Sequence, residues 1–249
     1  MHGLPRTLEC VLSRLARGSA LGQEDKAAFL ALPFRIESVA AHKALVQEGD
    51  AVHLCCMLLD GFVARHKMEQ TGKRQIVSFH QAGDIIDLQH LFFSTADHTV
   101  EAITPATVAW VADAAFRGLL RERPLLAEAV WREAMIDASV FREWVLNIGR
   151  RDAKARIAHM LCEVAERAEA AGLGSSQGFQ LPLTQDEIAD ATGLTGVHVN
   201  RMIQDLLKDG AIARHGRTYV IADWGRMCAI ADFEDSYLHQ NDTRLAQVA

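Results

Sequence analysis

The most regular hydrophobic pattern of the chain lies between positions 183 and 207. Apolar residues recur there at helical spacing on both sides of a glycine, so that two short helices would share one apolar seam. The seam consists of Ile188, Ala189, Leu194, Val199, Ile203 and Leu206. Thr184 and Thr195 stand where the two helices need N-caps, and Glu187 completes a capping box on the first. The pattern predicts two capped helices joined by a tight turn at Gly193.

The second of these helices presents a face, opposite the seam, that is suited to contact DNA. That face and its N-terminal turn carry Thr195, Gly196, Val197, His198, Asn200, Arg201 and Gln204. Hydrogen-bonding side chains on a protruding helix can read base edges in a major groove, which is typical of a helix-turn-helix. The same pattern also fits an ordinary helical bundle in which this face meets only water.

A short β-hairpin is predicted directly after the second helix. Residues 211–215 and 218–221 resemble two strands, with the turn at Gly216 and Arg217. The hairpin turns the two helices into a winged helix-turn-helix. Arg214 and Arg217 lie near its tip, where cations neutralise phosphates and set register rather than read sequence. An ordinary solvated hairpin tip explains these two arginines equally well.

The N-terminal half has a different pattern, with short β-like runs from Phe34 to Phe116 separated by glycine turns. Such regular short strands predict a sandwich or a jelly-roll type of β-roll, so the fold class is α+β. The predicted divisions are a helical segment (1–30), the β-roll (31–120), a dimerisation helix (121–150), the winged helix-turn-helix (151–223) and a tail (224–249). Within the tail, Phe233 to Leu238 is expected to be helical and to pack on the DNA-binding domain.

The long helical pattern between Pro124 and Gly149 has two apolar stripes. One is a heptad seam expected to pair with an equivalent helix, and its dimerisation residues are Trp131, Ala134, Ala138, Phe141, Val145 and Ile148. The other is expected to cover the β-domain and consists of Leu126, Val130, Ile136, Val140 and Trp144. A helix buried within one domain is the alternative, but a two-fold DNA site favours the dimer.

Composition narrows the class of protein without identifying it. The chain has 249 residues, is 49% hydrophobic and carries a formal net charge of -6, which fits two domains and excludes a wholly basic nucleic-acid coat. It contains no apolar run near the roughly 20 residues that span a bilayer, and its N-terminus lacks a signal-peptide layout. The expected location is the cytoplasm.

The order of β-roll, long helix and winged helix-turn-helix resembles the Crp/Fnr superfamily of bacterial transcription regulators, from about Ala31 to Ile221. The strings at 48–50, 59–63, 83–86 and 100–103 fall where the β-roll turns and strands of this family fall. The string at 152–158 is similar to the family's hinge and first DNA-domain helix, and that at 183–189 to the start of its helix-turn-helix. The resemblance implies that the β-roll is a cyclic-nucleotide-binding-like domain. It also implies a homodimer on a palindromic operator in double-stranded DNA, with RNA polymerase as a further partner. No membrane partner is expected, because no apolar run is long enough to span a bilayer. A signal would then act by shifting the DNA domains about the hinge at 147–152.

The chain departs from the family where cyclic AMP binds. Members that bind this nucleotide use a Gly-Glu pair for the ribose and an Arg-Ser pair for the phosphate. Here the first pair aligns with 87–88 and the second falls near 96–97, and no arginine or lysine occurs from Gln75 to Phe116. A buried phosphate without a cation is costly. The Thr-Ser pair that reads adenine aligns with 141–142, so we expect no cyclic AMP binding in the usual way.

Three histidines in the β-roll region are candidate ligands for a haem or a metal ion. They are His80, His90 and His98, with Asp84, Asp87 and Glu101 as additional ligands. Their spacing matches no diagnostic metal motif, so hydrogen-bonded histidines are favoured and no cofactor is assigned. A cupin-like metal-binding enzyme is a remote alternative, but the chain lacks a His-x-His pair and no enzymatic activity is expected.

The five cysteines are scattered and odd in number, which favours thiols over disulfides. Oxygen-sensing members of the family hold an iron-sulfur centre with several N-terminal cysteines, whereas only Cys10 lies there in this chain. The adjacent Cys55 and Cys56 are expected on one strand, pointing to opposite sides, so an outward thiol could report oxidation; packing as small hydrophobic residues is favoured. Cys162 is expected to be buried. A haem-, metal- or redox-sensing regulator remains the alternative function.

The recognition helix also departs from the family pattern. Many members read DNA with a Glu, then a Ser or Gly, then an Arg, and the corresponding residues here are Val197, Asn200 and Arg201. Arg201 suits a guanine, Asn200 an adenine, and Val197 only a thymine methyl group. The half-site is therefore expected to differ from the common one of the family.

Overall fold

A computed structural model describes residues 7–215, 218–240 and 242. The chain divides into two compact units. The first comprises the described residues up to Arg65, the segment His80–Ala138 and the described residues after Leu238. The second comprises His66–Phe79 and Ser139–Leu238. Among the described residues, no helix is both long and apolar enough to cross a lipid bilayer.

The predicted β-roll is confirmed. Its strands are β1 (Phe34–Val39), β2 (Ala44–Val46), β3 (Leu54–Asp60), β4 (Phe62–Met68), β5 (Arg74–Gln81), β6 (Thr99–Ala102) and β7 (Ala106–Ala112). One sheet has the order β1-β7-β3, with β7 antiparallel to both neighbours, and the other has the order β2-β6-β4-β5. The turn at Gly61 needs a φ of 96°, which glycine adopts readily.

Strand β3 shows why this domain has two apolar clusters. Its side chains alternate, so that Cys55 and Met57 join a cluster with the N-terminal helices, whereas Cys56 and Leu58 join a cluster inside the roll. Cys55 and Cys56 thus point to opposite sides as expected. The suggestion that one of them is an outward thiol that reports oxidation is wrong. Cys56 is buried inside the roll, and Cys55 is buried because helices cover the outer face of the strand; burial raises the pKa of both thiols.

The helices of this part of the chain are α1 (Glu9–Ala16), α2 (Gln23–Leu30), α3 (Asp113–Glu122) and α4 (Pro124–Arg150). The expectation that β-like structure continues to Phe116 is wrong, since β7 ends at Ala112 and α3 begins at the next residue. Phe116 is instead a buried residue of α3 that stacks edge-on against Phe29 of α2, with ring centroids 6.2 Å apart.

The two predicted stripes of α4 differ sharply in exposure. All five residues of the stripe expected to cover the β-domain are buried. On the heptad stripe, Trp131, Phe141 and Val145 are 53%, 54% and 60% exposed, while Ala134, Ala138 and Ile148 are half-buried. The helix therefore carries an apolar face that the single chain leaves in contact with water.

The second unit contains α5 (Ala153–Ala170), α6 (Gln185–Thr192), α7 (Gly196–Lys208), β8 (Ile212–His215), β9 (Thr218–Ile221) and α8 (Trp224–Ala231). The tail differs from its prediction: the α-helix occupies 224–231, and the predicted helix at Phe233 to Leu238 is only a 3-10 turn, Asp235–Leu238. The outer part of the β4–β5 hairpin also belongs here, and Arg167 Nη1 donates a hydrogen bond of 2.9 Å to the Phe79 carbonyl.

The tail packs on α5 through a buried carboxylate, as expected for packing on the DNA-binding domain. Glu163 is almost fully buried and accepts hydrogen bonds from Trp144 Nε1 (3.0 Å) and from the Tyr237 hydroxyl (2.8 Å). The His159 ring packs against the tail residues Phe233 and Tyr237, at 5.2 and 5.8 Å between ring centroids. These contacts hold the last described segment of this unit against the first helix of the DNA-binding domain.

Candidate DNA-binding surface

The N-caps predicted for the two helices are present. The Thr184 hydroxyl accepts from the Glu187 amide (3.2 Å), and the Glu187 carboxylate accepts from the Thr184 amide (2.6 Å), which is a complete capping box on α6. Gly193 ends α6 at a φ of 66°, and Thr195 caps α7 by accepting from the His198 amide (3.3 Å). Local sequence signals therefore set both ends of the turn.

The apolar seam between the helices is nearly as predicted. Ile188, Ala189, Val199, Ile203 and Leu206 are buried, whereas Leu194, in the turn, is half-buried. Burial of this seam fixes which face of α7 points to solvent, because residues on a helix repeat every 3.6 positions.

That solvent face carries the predicted DNA contacts. Thr195, Val197, Asn200, Arg201 and Gln204 are exposed, with Val197 at 85%, and Gly196 and His198 are half-buried. The structure thus brings them to one side of α7 and its N-terminal turn. Asn200 has one hydrogen bond that sequence reasoning missed: its Nδ2 donates to Gln185 Oε1, 3.1 Å away, on the first residue of α6.

The wing is the hairpin of β8 and β9, in which Ile212 pairs with Ile221 and Arg214 with Tyr219. Arg214 is exposed on β8. Gly216 and Arg217, predicted as the turn and a phosphate contact, lie outside the described residues.

Three side chains that were not sequence candidates hold the C-terminal end of α6. Arg156 Nη1 donates to the Thr192 carbonyl (2.9 Å), Gln75 Nε2 to the Ala191 carbonyl (3.3 Å), and Arg74 Nε to Asp190 (2.7 Å). The last carbonyls of a helix lack partners within it, so these donors stabilise the end of α6. Gln75 and Ala191 are far apart in sequence, which is why no local pattern revealed the contact.

The hinge between α4 and α5 is hydrogen-bonded as well. Asp152 caps α5 by accepting from the amides of Lys154 and Ala155. Asn147 Nδ2, on the last turns of α4, donates to the Arg156 carbonyl on α5 at 3.1 Å. The connection predicted as a hinge is thus a specific arrangement of two helix ends, and a change of angle there would break named hydrogen bonds.

A second group of polar residues lies in the β-roll, around the fully buried Asp87. His98 Nε2 and Arg65 Nη2 lie 2.9 and 3.6 Å from its Oδ1, and His90 Nδ1 lies 3.8 Å from its Oδ2. Burial alone would raise the pKa of Asp87, but the His98 hydrogen bond and the Arg65 charge lower it. Arg65 also pairs with Asp137 at 3.2 Å, so its charge is matched within the protein.

The third candidate histidine lies at a different carboxylate. His80 Nδ1 is 3.3 Å from Asp84 Oδ2, and Asp84 Oδ1 is 2.7 Å from Arg14 Nη1. Burial, followed by the charge of Arg65, lowers the pKa of His80. Glu101, another suggested ligand, lies 3.8 Å from His42.

The suggested convergence of His80, His90 and His98 on one metal or haem is therefore not what the structure shows. It brings only His90 and His98 to a common carboxylate, with their rings stacked at 6.5 Å. Across 7–215, 218–240 and residue 242, no three His, Cys, Asp or Glu side chains are arranged to hold a metal ion.

Both halves of the chain match known protein families. Residues 155–230 match the Crp-like helix-turn-helix domain, and residues 36–123 match the cyclic nucleotide-binding domain. The transcriptional activator protein FnrL of Cereibacter sphaeroides is 26% identical over 235 residues, which cover 91% of this chain and 94% of FnrL. The nitrogen fixation regulation protein FixK of Rhizobium meliloti is 32% identical over 181 residues, which cover 71% and 77% of the two chains.

A solved structure has the same fold. FixK2 from Bradyrhizobium japonicum superposes with a TM-score of 0.73 at 24% identity, covering 80% of this chain and 98% of FixK2. A β-roll, a long helix and an exposed recognition helix with its wing define a DNA-binding protein of the winged helix-turn-helix class. With the relatives above, the chain belongs to the Crp/Fnr family of transcription regulators.

Proposed function

We propose that this regulator binds a palindromic operator as a homodimer, without cyclic AMP. The observation that carries the proposal is that the chain has two separate exposed faces. One is the polar face of α7, with Asn200, Arg201 and Gln204, and the other is the apolar heptad stripe of α4. Pairing of two α4 helices would remove the second face from water and present two α7 helices to major grooves about 10 base pairs apart.

The interior of the β-roll supports independence from cyclic AMP. The position aligned with the ribose-binding pair holds the buried Asp87, and the nearby cation, Arg65, is engaged by Asp87 and Asp137. A nucleotide phosphate there would have to displace a carboxylate from Arg65, which is costly in a buried site. On α4, the exposed Phe141 and Arg142 replace the family's Thr-Ser pair.

The relatives extend the proposal to transcription itself. FnrL is described as a transcriptional activator and FixK as a nitrogen fixation regulation protein. By analogy, the DNA-bound dimer would recruit RNA polymerase, which adds a protein partner to the DNA.

Selection from a library of palindromic duplexes tests DNA binding, with purified protein, in the presence and absence of cyclic AMP and of reductant. We expect one palindrome to be selected under all conditions. Selection only with the nucleotide would contradict independence from cyclic AMP, selection under one redox condition would favour the cysteines as sensors, and no selection would contradict unaided binding.

Self-association is measured separately by sedimentation. The double variant Phe141→Ala, Val145→Ala should weaken the dimer by more than about tenfold, because buried aromatic and aliphatic anchors dominate such interfaces. Arg142→Ala, between them on the same helix but off the stripe, is the matched control and should have little effect. Equal effects of the two changes would contradict pairing through the stripe.

A further inference from the structure

The bond between Gln185 and Asn200 joins the two helices of the helix-turn-helix at its solvent face. Asn200 is exposed on α7, and Gln185, half-buried, is the first residue of α6. Asn200 Nδ2 donates to Gln185 Oε1 over 3.1 Å. The two residues are separated by the turn at Gly193, and Gln185 was not among the predicted DNA contacts.

The direction of this bond decides what Asn200 offers to a base. An exposed asparagine amide can rotate by half a turn, which exchanges its oxygen and its NH2 group. In the rotated state its oxygen would face the oxygen of Gln185, and two acceptors facing each other repel. Because Gln185 can rotate in the same way, the bond couples the orientations of the two amides. With the oxygen of Gln185 towards Asn200, as the structure has it, the NH2 group of Asn200 faces Gln185 and its Oδ1 and second N–H are available.

Adenine needs this combination of groups. In the major groove it presents an N6 amino donor beside the N7 acceptor, and an asparagine amide can pair with both at once. A side chain already held in its binding orientation loses less conformational freedom when it binds. An unheld amide would also accept other edges, so the bond sharpens discrimination as well as affinity.

We propose that Gln185 is a positioning residue that determines base preference through Asn200, selecting adenine at one position of each half-site. The proposal rests on the proposed function, because it requires a selected operator. It also predicts a reversal: a donor at position 185 should turn Oδ1 of Asn200 inward. The NH2 group would then face the DNA and favour acceptor edges, such as N7 and O6 of guanine.

The experiment is selection of base preference from a library randomised over the half-site, with wild-type protein and single variants. Wild type and Gln185→Glu, which keeps an acceptor, should prefer adenine at one position by about tenfold, the effect of one good bidentate contact. Asn200→Ala should abolish that preference. Gln185→Ala should reduce it at the same position only, and Gln185→Lys should shift it towards guanine. Asp186→Asn, at the exposed neighbour of Gln185 on α6 that is not a predicted DNA contact, should leave that position unchanged.

Several outcomes would overturn the proposal. A uniform loss of affinity for all duplexes with Gln185→Ala would make Gln185 a phosphate contact, and an unchanged preference would make the bond incidental. A change at a position that Asn200→Ala does not affect would separate the two residues. Failure of the wild-type protein to select any operator would instead overturn the proposed function, and this inference with it.

Discussion

Polar side chains have opposite roles on the recognition surface and in the interior of the β-roll. On the surface, Asn200 and Arg201 are exposed on a helix whose other side is buried. In the interior, His98 Nε2 and Arg65 Nη2 lie 2.9 and 3.6 Å from Asp87 Oδ1. Burying a charge costs several kcal/mol unless it is paired, so interior groups are committed to partners in the same chain. Surface groups face water and can exchange it for a base edge at small cost.

Residue type alone therefore does not identify a sensor. His80, His90 and His98 resemble a ligand set in the sequence, yet their neighbours in the structure are carboxylates. The composition of the recognition helix is no more unusual than that of the β-roll, but its orientation leaves its polar face exposed to solvent. Exposure and pairing, rather than chemistry of the side chain, separate a binding surface from a polar core.

The largest effect is expected from removing the centre of the interior cluster. Asp87→Ala leaves Arg65 and His98 buried without their shared carboxylate and should lower the free energy of unfolding by about 3 to 5 kcal/mol. Urea denaturation measures it. The control is Asp97→Ala, since Asp97 also contacts His98, at 2.6 Å, but its side chain is 80% exposed. Similar small losses from both changes would mean that the cluster is not a committed core.

On the surface, Arg201→Ala should affect binding rather than stability. We expect a loss of about 1 to 3 kcal/mol on the selected duplex, with relaxed preference at one position, because a bidentate contact to guanine is removed. Fluorescence titration on selected and scrambled duplexes measures it.

The control for Arg201 is Arg214→Ala on the wing. That change should weaken binding to all duplexes and reduce the salt slope by about 1, as expected for a phosphate contact. An equal loss for Arg201→Ala on selected and scrambled duplexes would contradict base readout and remove the distinction between the two arginines.

Acidification tests whether the interior of the DNA-binding unit behaves like the interior of the β-roll. Burial, followed by the charge of Arg151, lowers the pKa of His159 to about 3. Glu143 Oε1 lies 3.3 Å from its Nε2 but pairs with Arg151 at 2.7 Å. Since the unfolded chain takes up this proton near pH 6.5 and the folded chain does not, stability is fully present above that pH. As the pH is lowered below about 6.5, the free energy of unfolding should decrease by up to about 1.4 kcal/mol per pH unit.

Urea denaturation between pH 7 and pH 5 measures this slope, and His159→Gln, which has no ionisable ring, should flatten it. Both curves are needed because carboxylates elsewhere contribute to the slope at the acidic end. Parallel curves for wild type and variant would show that His159 does not keep its neutral form in the folded protein.

The smallest effect is expected from removing the N-cap of α6, the first helix of the helix-turn-helix. Thr184→Ala removes the hydroxyl that caps α6 and should lower stability by about 1 kcal/mol. Thr184→Ser keeps the hydroxyl and should retain most of it. Thermal unfolding monitored by circular dichroism compares the three proteins, and no difference between alanine and serine would mean that packing, rather than the cap, fixes the start of α6.

Much of the fold could be predicted because its signals are local. Capping threonines, the glycine at position 193 and the repeat of apolar residues lie within a few positions of the structure that they specify. The heptad stripe of α4 is equally local. Predictions failed where the chain continued without a local stop signal, as at the end of β7 and in the tail. Phe116 has the residue type of a strand, yet it lies on α3, where its ring packs against Phe29.

The sequence by itself determined the order of the elements and the face of α7 that points to solvent, because both depend on the periodicity and capping of short segments. It also indicated the family, through the resemblance of particular strings. Only the tertiary structure decided which polar groups pair: Asp87 with His98 and Arg65, Gln75 with the end of α6, and Asn200 with Gln185. These partners lie 11 to 116 positions apart in the chain. The Asp87 pairing follows from the cost of leaving buried polar groups unsatisfied, and all three pairings need the packing that brings distant elements together; neither cause is contained in a local pattern.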